Sequence, residues 1–412
     1  MKIVDKKLLS ITGVSLLSMA LLSACSDGSD NRDTVEPTQS ITVTSYNAGL
    51  ALNFVPFTNE RLVVNEALLA DYDSDVICLQ EVWLEDQVEA VTAAIEGTYP
   101  HIYTVEPEQV FSDSAACTTE EIAGFEDCAR TQCDGLTGSG LVGCALAQCS
   151  AFFPDLSPVC TDAVFATVGI PDVTVDQVID TVTQPAGKFA FDGSLGLILA
   201  SKHDLRNREF QDFIDDSTSN HRGALYAEIE LNSASHVIGC THPTANLAET
   251  IDYPPSGKHG SWEGENRFMQ QEMIAFANEK AGDRPIFFAG DFNCGLPNAS
   301  NGVVGEFADN CQLWLDDGFV DPAGDQLPCT FCYDENLLLQ EEGGQQGAGN
   351  ELIDHVFVKN LPATSRFVAE RIFDDPVSIE ALVPPSELLP EDSPMMTHPS
   401  DHFGVELEVT WP

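Results

Sequence analysis

The chain has 412 residues, 43% of them hydrophobic, which is enough for one large core or two small ones. Its 66 acidic side chains outnumber the 18 basic ones and give a net charge of −48. This charge excludes a broad basic footprint on a nucleic-acid backbone. It is typical of a heavily hydrated surface in salty water, and it still permits a phosphate ligand where a bound cation reverses the local field.

The N-terminus has the pattern of an export signal. Lys2, Lys6 and Lys7 form a basic start, and residues 8–24 are apolar or small but too few for a comfortable bilayer span. The sequence Leu-Ser-Ala-Cys at 22–25 resembles a bacterial lipobox, in which the cysteine becomes the lipidated first residue of the mature chain. An ordinary secretory signal is the alternative, and the lipobox pattern favours lipidation at Cys25.

A lipidated Cys25 predicts a protein outside the cytoplasm, anchored to a membrane surface. Ser26, where an aspartate would retain the protein, predicts the outer membrane of a Gram-negative bacterium. Residues 25–40 are polar and rich in turn formers, so we expect a flexible tether before a folded domain at 41–412.

Two early strands end in polar side chains. Residues 41–46 alternate as a half-buried strand does and stop at Asn47. The apolar run from residue 75 leads to Glu81, and a carboxylate at the end of a buried strand requires a partner. An apolar loop at 51–57 and helices at 61–70 and 87–97 complete this part of the prediction.

Residues 106–190 depart from this pattern of strands and helices and contain six evenly spaced cysteines. Their spacings are 11, 5, 11, 5 and 11 residues, and the pattern C-x4-C occurs twice, as C-A-R-T-Q-C and C-A-L-A-Q-C. In an exported protein these cysteines predict disulfides, although six cysteines allow fifteen pairings and the sequence does not choose among them. A zinc cluster is the weaker alternative because the segment has no histidine. We expect a disulfide-stapled, helical insertion beside the site. The cysteines are Cys117, Cys128, Cys133, Cys144, Cys149 and Cys160.

Strand patterns resume after the insertion. Residues 193–201 predict a buried strand, and 222–229 with 236–242 predict a hairpin that begins at Arg222 and ends at His242. A histidine at a strand end is more often structural than catalytic. A helix at 264–279 then leads into the next strand.

The stretch 284–294, R-P-I-F-F-A-G-D-F-N-C, carries the most information. An apolar run stops at Gly290 and presents Asp291 and Asn293 together. A simple Asx turn explains this locally. A divalent cation or a phosphate explains it equally well, because either would satisfy the exposed strand end.

The C-terminal third adds three further candidate residues, Asp354, Asp401 and His402. A strand at 352–358 carries Asp354 near its start, and residues 400–402 read Ser-Asp-His before a last strand at 405–411. Between them lies a long acidic, proline-rich loop at 373–399. Cys329 and Cys332 form a C-x-x-C motif, for which the predicted compartment favours disulfides over redox catalysis.

The polar residues at strand ends form a chemically coherent set. Carboxylates and amides suit an oxygen-preferring cation such as Mg²⁺, with Mn²⁺ or Ca²⁺ as alternatives. Two histidines suit proton transfer near neutral pH. Together with a bound cation, such residues would favour attack of water on a phosphate ester. The set is Asn47, Glu81, His242, Asp291, Asn293, Asp354, Asp401 and His402.

These motifs, in this order, resemble the endonuclease/exonuclease/phosphatase superfamily. The resemblance rests on L-Q-E-V-W at 79–83, R-G-A-L-Y-A at 222–227, G-D-F-N at 290–293, I-D-H at 353–355 and S-D-H at 400–402. It implies a deoxyribonuclease I-like fold, a four-layered α/β sandwich, from residue 41 to the C-terminus. The cysteine-rich insertion and the long acidic loop depart from the family pattern, so the substrate does not carry over.

The resemblance also implies a metal ligand and a base. Glu81 would be the main metal ligand, with Asn47 and Asp401 nearby. His402 would be the general base that activates water, and Asp354 would orient its ring.

Four further residues would serve the phosphate. Asp291 and Asn293 would orient the nucleophile and the phosphate, or hold a second cation. His242 would contact the phosphate or protonate the leaving group, and Arg222 would reach the phosphate or pair with an acidic neighbour.

The sequence therefore predicts a metal-dependent phosphoric ester hydrolase. Its substrate would be a phospholipid head group, as in the sphingomyelinases, or a nucleic acid, and no protein partner can be inferred. The alternative is a non-catalytic surface lipoprotein that uses the fold and the insertion for binding. A missing Glu, His or Asp in the set would favour that alternative, and none is missing.

Overall fold

The computed structural model describes residues 39–248, 251–341, 349–382 and 395–412. The predicted signal peptide, the lipidation at Cys25 and the tether up to residue 38 lie outside the described residues. The first strand begins at Gln39, two residues before the predicted domain start.

Fifteen strands are present in the described residues. In chain order, β1 to β15 are Gln39–Asn47, Val76–Gln80, His101–Tyr103, Ile198–Ser201, Arg206–Asp212, Gly223–Leu231, Ala234–Thr241, Ile286–Asp291, Val303–Val304, Asn350–Glu351, Asp354–Lys359, Arg366–Ile372, Val377–Ser378, Met396–Thr397 and Gly404–Trp411.

Ten α-helices lie between the strands in the same described ranges. In chain order, α1 to α10 are Thr58–Ala70, Glu85–Ile95, Thr119–Gln132, Gly138–Cys149, Pro158–Ala166, Val175–Val182, Trp262–Ala281, Ala308–Asp316, Pro322–Gln326 and Leu337–Glu341. None of these helices is both long and apolar enough to cross a membrane.

Two large sheets pack face to face and form the centre of the molecule. The first has the strand order β12-β15-β1-β2-β4-β3 and the second the order β11-β8-β7-β6-β5. Their facing sides share one core of aliphatic and aromatic side chains, such as Val43, Leu225 and Phe287, all fully buried. Burial of this apolar surface is the main favourable term that holds the sheets together.

Helices cover the outer face of each sheet. Leu69 of α1 and Val91 of α2 pack on Leu79 of the first sheet. Met273 of α7 and Trp314 of α8 belong to the cluster on the outer side of the second sheet. The order helix, sheet, sheet, helix confirms the predicted four-layered α/β sandwich.

The predicted strand at 193–201 is shorter than expected. Gly193 and Gly196 have φ angles of +77° and +64°, which an extended strand does not permit, so β4 begins only at Ile198. The predicted loop at 373–399 is also partly wrong, because β13 and β14 pair antiparallel within it. These strands are two residues each, too short for an alternating pattern.

The insertion is helical, as predicted, and consists of α3 to α6 with short 3₁₀ turns. Its six cysteines pair in a nested order, with Cys117–Cys160 outermost and Cys133–Cys144 innermost. The inner two disulfides join α3 to the C-terminal half of α4 as a hairpin. The insertion has a small core of its own, separate from that of the two sheets, which includes Ile122, Phe125 and Val164.

A further disulfide, which the sequence did not indicate, joins the two sheets. Cys78 of β2 and Cys240 of β7 are fully buried and 162 residues apart in sequence. Cys78 lies three residues before the predicted site residue Glu81, and Cys240 lies two residues before His242. By contrast, the C-x-x-C motif closes on itself as Cys329–Cys332, a separation of three residues.

Replacing Cys78 and Cys240 together by alanine should lower the free energy of unfolding by about 2–5 kcal/mol, because the disulfide closes a long loop of the unfolded chain. Guanidinium denaturation under non-reducing conditions measures the change. The double replacement of Cys329 and Cys332 is the matched control and should have a smaller effect, since its loop is short. Equal losses in the two variants would contradict the loop-closure argument.

Candidate active site

The predicted site residues meet at one edge of the sandwich because of how the strands pair. β1 and β2 are parallel, with Asn47 opposite Gln80, so Asn47 and Glu81 leave the first sheet side by side. In the second sheet, β7 and β8 are parallel, and Asp354 of β11 lies opposite Asp291 of β8. The register of both sheets therefore gathers these polar ends in one place.

Asp291 is at the centre of this group. Its Oδ2 accepts a hydrogen bond of 2.9 Å from Nδ2 of Asn47, and lies 3.5 Å from Nε2 of His242 and 3.8 Å from Nε2 of His402. Its Oδ1 accepts the backbone N–H of Asn293 at 2.9 Å. Burial, and next the carboxylate of Asp354, raise the pKa of Asp291 to about 7.

His402 and Asp354 form a buried pair. Nδ1 of His402 lies 2.9 Å from Oδ2 of Asp354, which leaves Nε2 directed toward Asp291. Burial alone would lower the pKa of His402, but the carboxylates of Asp354 and Asp291 outweigh it and raise this pKa well above its ordinary value. The stability that this pair contributes is therefore present below about pH 6.5 and is lost as the pH rises through the raised pKa.

Glu81 has a strained backbone. Its φ of 58° places a non-glycine residue in the left-handed region, a conformation that persists only where the surroundings enforce it. Its side chain is 18% exposed, and Oε1 lies 3.3 Å from Nδ2 of Asn47 and 3.9 Å from Nε2 of His242. Burial and then the carboxylate of Asp401 raise the pKa of Glu81. The left-handed turn directs this carboxylate into the site as the chain leaves β2.

Asp401 is held by the loop after β1. Ser400 donates its hydroxyl to the backbone carbonyl of Asn47 at 2.7 Å, and the same Oγ lies 3.1 Å from Oδ1 of Asp401. Gly49 faces this carboxylate so closely that a Cβ there would lie 2.1 Å from Oδ1 of Asp401, and its φ is +57°. This is a position where only glycine fits.

His242 is buried between charged groups and an aromatic ring. Its Nδ1 has no hydrogen-bond partner among the described residues, and its ring lies 5.9 Å from that of Trp83. Burial, and then the charges of Arg222 and His402, keep the pKa of His242 well below its ordinary value. The lowered pKa favours the neutral form of His242.

Arg222 and Asn293 line the same edge. Arg222 is buried, donates to the backbone carbonyl of His242 at 3.2 Å and has its guanidinium 5.6 Å from the centre of the Trp83 ring. Asn293 donates its side-chain amide to the backbone carbonyl of Pro243 at 3.0 Å. All eight predicted strand-end residues and Arg222 thus lie in one site. Cys25 alone of the predicted residues is outside the described chain.

The donor set fits a hard divalent cation. One donor atom each from Asp291, Asp354 and His402 lies within 4.8 Å of the other two, and the carboxylates of Glu81 and Asp401 adjoin them. Buried like charges at this density favour a bound cation. Asp291 is buried and accepts hydrogen bonds at both carboxylate oxygens, whereas Asp354 is buried with its Oδ2 beside Nδ1 of His402 and its Oδ1 without a partner among the described residues.

Arg61, which the sequence patterns did not indicate, stabilises the backbone on either side of the site. Its guanidinium is fully buried and donates to the backbone carbonyls of Ala48, Gly49 and Pro399, with distances of 3.2, 2.5 and 3.1 Å. It thereby ties the loop after Asn47 to the segment before Asp401. Its position inside a helical pattern gave no signal, because surface arginines occur there as a rule.

A sequence profile of the Endonuclease/Exonuclease/phosphatase family matches residues 58–402. The chain belongs to this family. The match covers most of the chain and includes seven of the eight strand-end residues, from Glu81 to His402, while Asn47 lies before it.

Solved structures agree with the fold of this family. A crystal structure of SmcL has a TM-score of 0.51 at 17% identity and covers 90% of this chain and 98% of that one. Sphingomyelinase C from Streptomyces griseocarneus has a TM-score of 0.51 at 16% identity and covers 90% and 99%. No curated protein matches the sequence significantly.

Replacing Asp354 by asparagine should lower the pKa of His402, because it removes the carboxylate nearest to that ring. Titration of the histidine ring signals by NMR, in EDTA, measures the change. Asp321→Asn is the matched control. The Asp321 carboxylate lies 3.0 Å from Nδ1 of His355, so its loss should lower the pKa of His355 and leave His402 unchanged. An unchanged His402 titration in Asp354→Asn would contradict the pairing.

Proposed function

We propose that the protein is a metal-dependent phosphodiesterase that hydrolyses a phosphate diester by attack of water on phosphorus. The observation that carries this proposal is the His402–Asp354 pair. A buried imidazole is held at Nδ1 by a carboxylate, and its Nε2 is free to face the centre of the site beside Asp291. This arrangement is typical of a general base.

In the proposed reaction His402 removes a proton from water, which it can do only in its neutral form, at a pH above its raised pKa. The new bond forms between the water oxygen and phosphorus, and the bond between phosphorus and the leaving oxygen breaks. The proton from water goes to Nε2 of His402, while Asp354 stabilises the resulting imidazolium through Nδ1. The leaving oxygen takes a proton from solvent.

The remaining residues bind and orient the phosphate. Neutral His242 donates a hydrogen bond to a phosphate oxygen, because its lowered pKa leaves the ring without the second proton that a general acid would transfer. Arg222 supplies a fixed positive charge beside it, and Asn293 and Asp291 orient the attacking water and the phosphate.

Glu81, with Asn47 and Asp401 nearby, would hold a divalent cation, for which we propose Mg²⁺, with Mn²⁺ or Ca²⁺ as alternatives. When bound, it would act as a Lewis acid on the phosphate. The slight exposure of Glu81 gives such an ion access from solvent.

For the substrate we propose a phospholipid head group, with nucleic acid as the second candidate. The net charge of −48 opposes the approach of a long polyanion. An anchor at Cys25, in the outer membrane of a Gram-negative bacterium, would hold the site near lipid. The similarity of fold to a sphingomyelinase C is consistent with this choice.

His402→Ala should reduce hydrolysis by about 10²- to 10⁴-fold, the usual contribution of a general base. Glu81→Gln should reduce it by at least about 10²-fold, through loss of the charge that holds the cation. The assay uses sphingomyelin, plasmid DNA and bis-p-nitrophenyl phosphate, each with Mg²⁺ and with EDTA. Circular dichroism confirms that the variants are folded.

His101→Ala is the control, because His101 pairs with Asp204 away from the site and its side chain is 34% exposed. It should keep full activity. Full activity in both His402→Ala and Glu81→Gln, or activity that EDTA does not reduce, would refute the proposed site. The preferred substrate decides between the lipid and the nucleic acid.

A further inference from the structure

The insertion contains an exposed segment without any charge, in a chain with 66 acidic residues. Residues 135–154 include no Asp, Glu, Lys or Arg, whereas Asp134 and Asp155 flank them directly. The segment comprises α4 and the 3₁₀ turn Ser150–Asp155 up to Pro154. A protein that relies on acidic groups for its solubility leaves this surface neutral.

Large apolar side chains project from this segment into solvent. Leu136 is 43% exposed and Phe152 is 36% exposed. Phe54, which is 42% exposed, lies near the start of α4, because its neighbour Asn53 faces Gly138 and donates to the backbone carbonyl of Val168 at 2.7 Å. The loop after β1 therefore adjoins the start of α4, where the carboxylate of Asp172 also faces Gly138.

A small apolar cavity lies behind the same helix. It has a volume of about 50 Å³, and α4 contributes Leu141, Ala145 and Leu146 to its lining. Thr167 is the single lining residue with a polar side-chain atom, and it donates its hydroxyl to the backbone carbonyl of Val164 at 2.6 Å. The described lining therefore offers no directional partner for a polar ligand, whereas a hydrocarbon chain needs none.

We propose that this neutral face, defined by residues 135–154 with Phe54, docks on an uncharged phospholipid surface, and that the cavity behind α4 receives the end of a hydrocarbon chain. The charge distribution favours lipid of this kind. An anionic membrane would repel the acidic remainder of the chain, while a zwitterionic surface would accept the neutral face.

The position of the insertion connects this face to the site. Asp162 of α5 lies 2.9 Å from the hydroxyl of Ser256, and Phe165, which lines the cavity, packs with Ile251 and Trp262. These partners belong to the segment that follows His242. Leu146 and Phe153 of the neutral segment pack against the same cluster, so a lipid held there would lie beside the segment that follows His242. The inference rests on the proposed function and deepens it by assigning its substrate to the lipid class.

The two inner disulfides make the face rigid enough to act as a docking surface. Cys128–Cys149 and Cys133–Cys144 fasten the second half of α4 to α3. The helix itself contains glycine at positions 138, 140 and 143, which would weaken it without such support. The cross-links therefore hold an intrinsically weak helix in place.

The test is co-sedimentation with vesicles in EDTA, so that no hydrolysis takes place. The protein is residues 26–412, so that neither the apolar export signal nor an anchor at Cys25 contributes to binding. Vesicles of phosphatidylcholine alone are compared with vesicles that also contain phosphatidylglycerol. Binding to phosphatidylcholine should be stronger, and L136D/F152D should weaken it by at least about 10-fold, since each new charge would have to leave water.

V63D/V368D is the matched control, because it adds two charges at valines that are each 48% exposed, outside the insertion. It should bind vesicles as the parent does. A second readout uses Phe152→Trp, whose fluorescence should shift to the blue on binding and be quenched by lipids with brominated chains. Thermal unfolding verifies that each variant is folded.

Equal binding by L136D/F152D and by the control, or no vesicle binding by the parent, would overturn the proposal. So would a parent that forms dimers which L136D/F152D abolishes, because the face would then belong to a second copy of the chain. Hydrolysis of bis-p-nitrophenyl phosphate distinguishes the two proposals. Vesicle binding without hydrolysis refutes the proposed function alone, and hydrolysis without vesicle binding refutes this inference alone.

Discussion

The buried carboxylate of Asp291 is the constraint on which the rest of the site depends. An isolated carboxylate in the interior is unfavourable by several kcal/mol unless other groups compensate it. Here the compensation comes from the Asn47 amide, the backbone of Asn293 and the nearby imidazoles of His242 and His402. These groups belong to different strands and loops of both sheets, so both sheets must be in register before Asp291 is satisfied.

Such a concentration of charge opposes folding, and the surrounding structure holds it in place. The Cys78–Cys240 disulfide links the two sheets within three residues of Glu81 and within two residues of His242 along the chain. On the other side, Arg61 binds the backbone carbonyls of Gly49 and Pro399. The left-handed turn at Glu81 shows that strain is stored here, which is common where geometry serves chemistry. The site is rigid because covalent and hydrogen-bonded supports surround it.

The insertion and the sandwich differ in how they are stabilised and in what they offer. The sandwich has a large core and a polar site at one edge, whereas the insertion has a small core reinforced by three nested disulfides. Small helical units of this kind bury too little surface to be stable without cross-links. The insertion is also where the acidic surface gives way to neutral and apolar side chains, beside the segment that follows His242.

The amino-acid sequence by itself determined the fold class, the helical insertion and the set of polar strand ends. Short strand patterns that end in Asn47, Glu81 and Asp291 are local, so they can be recognised without knowledge of the fold. It could not determine the pairing of the cysteines or the role of Arg61. Cys78 and Cys240 are ordinary apolar positions within their strands, and they meet only because two sheets pack face to face. The contacts of Asp291 were likewise decided by the tertiary structure, since hydrogen bonds between residues 244 positions apart depend on sheet register and not on local sequence.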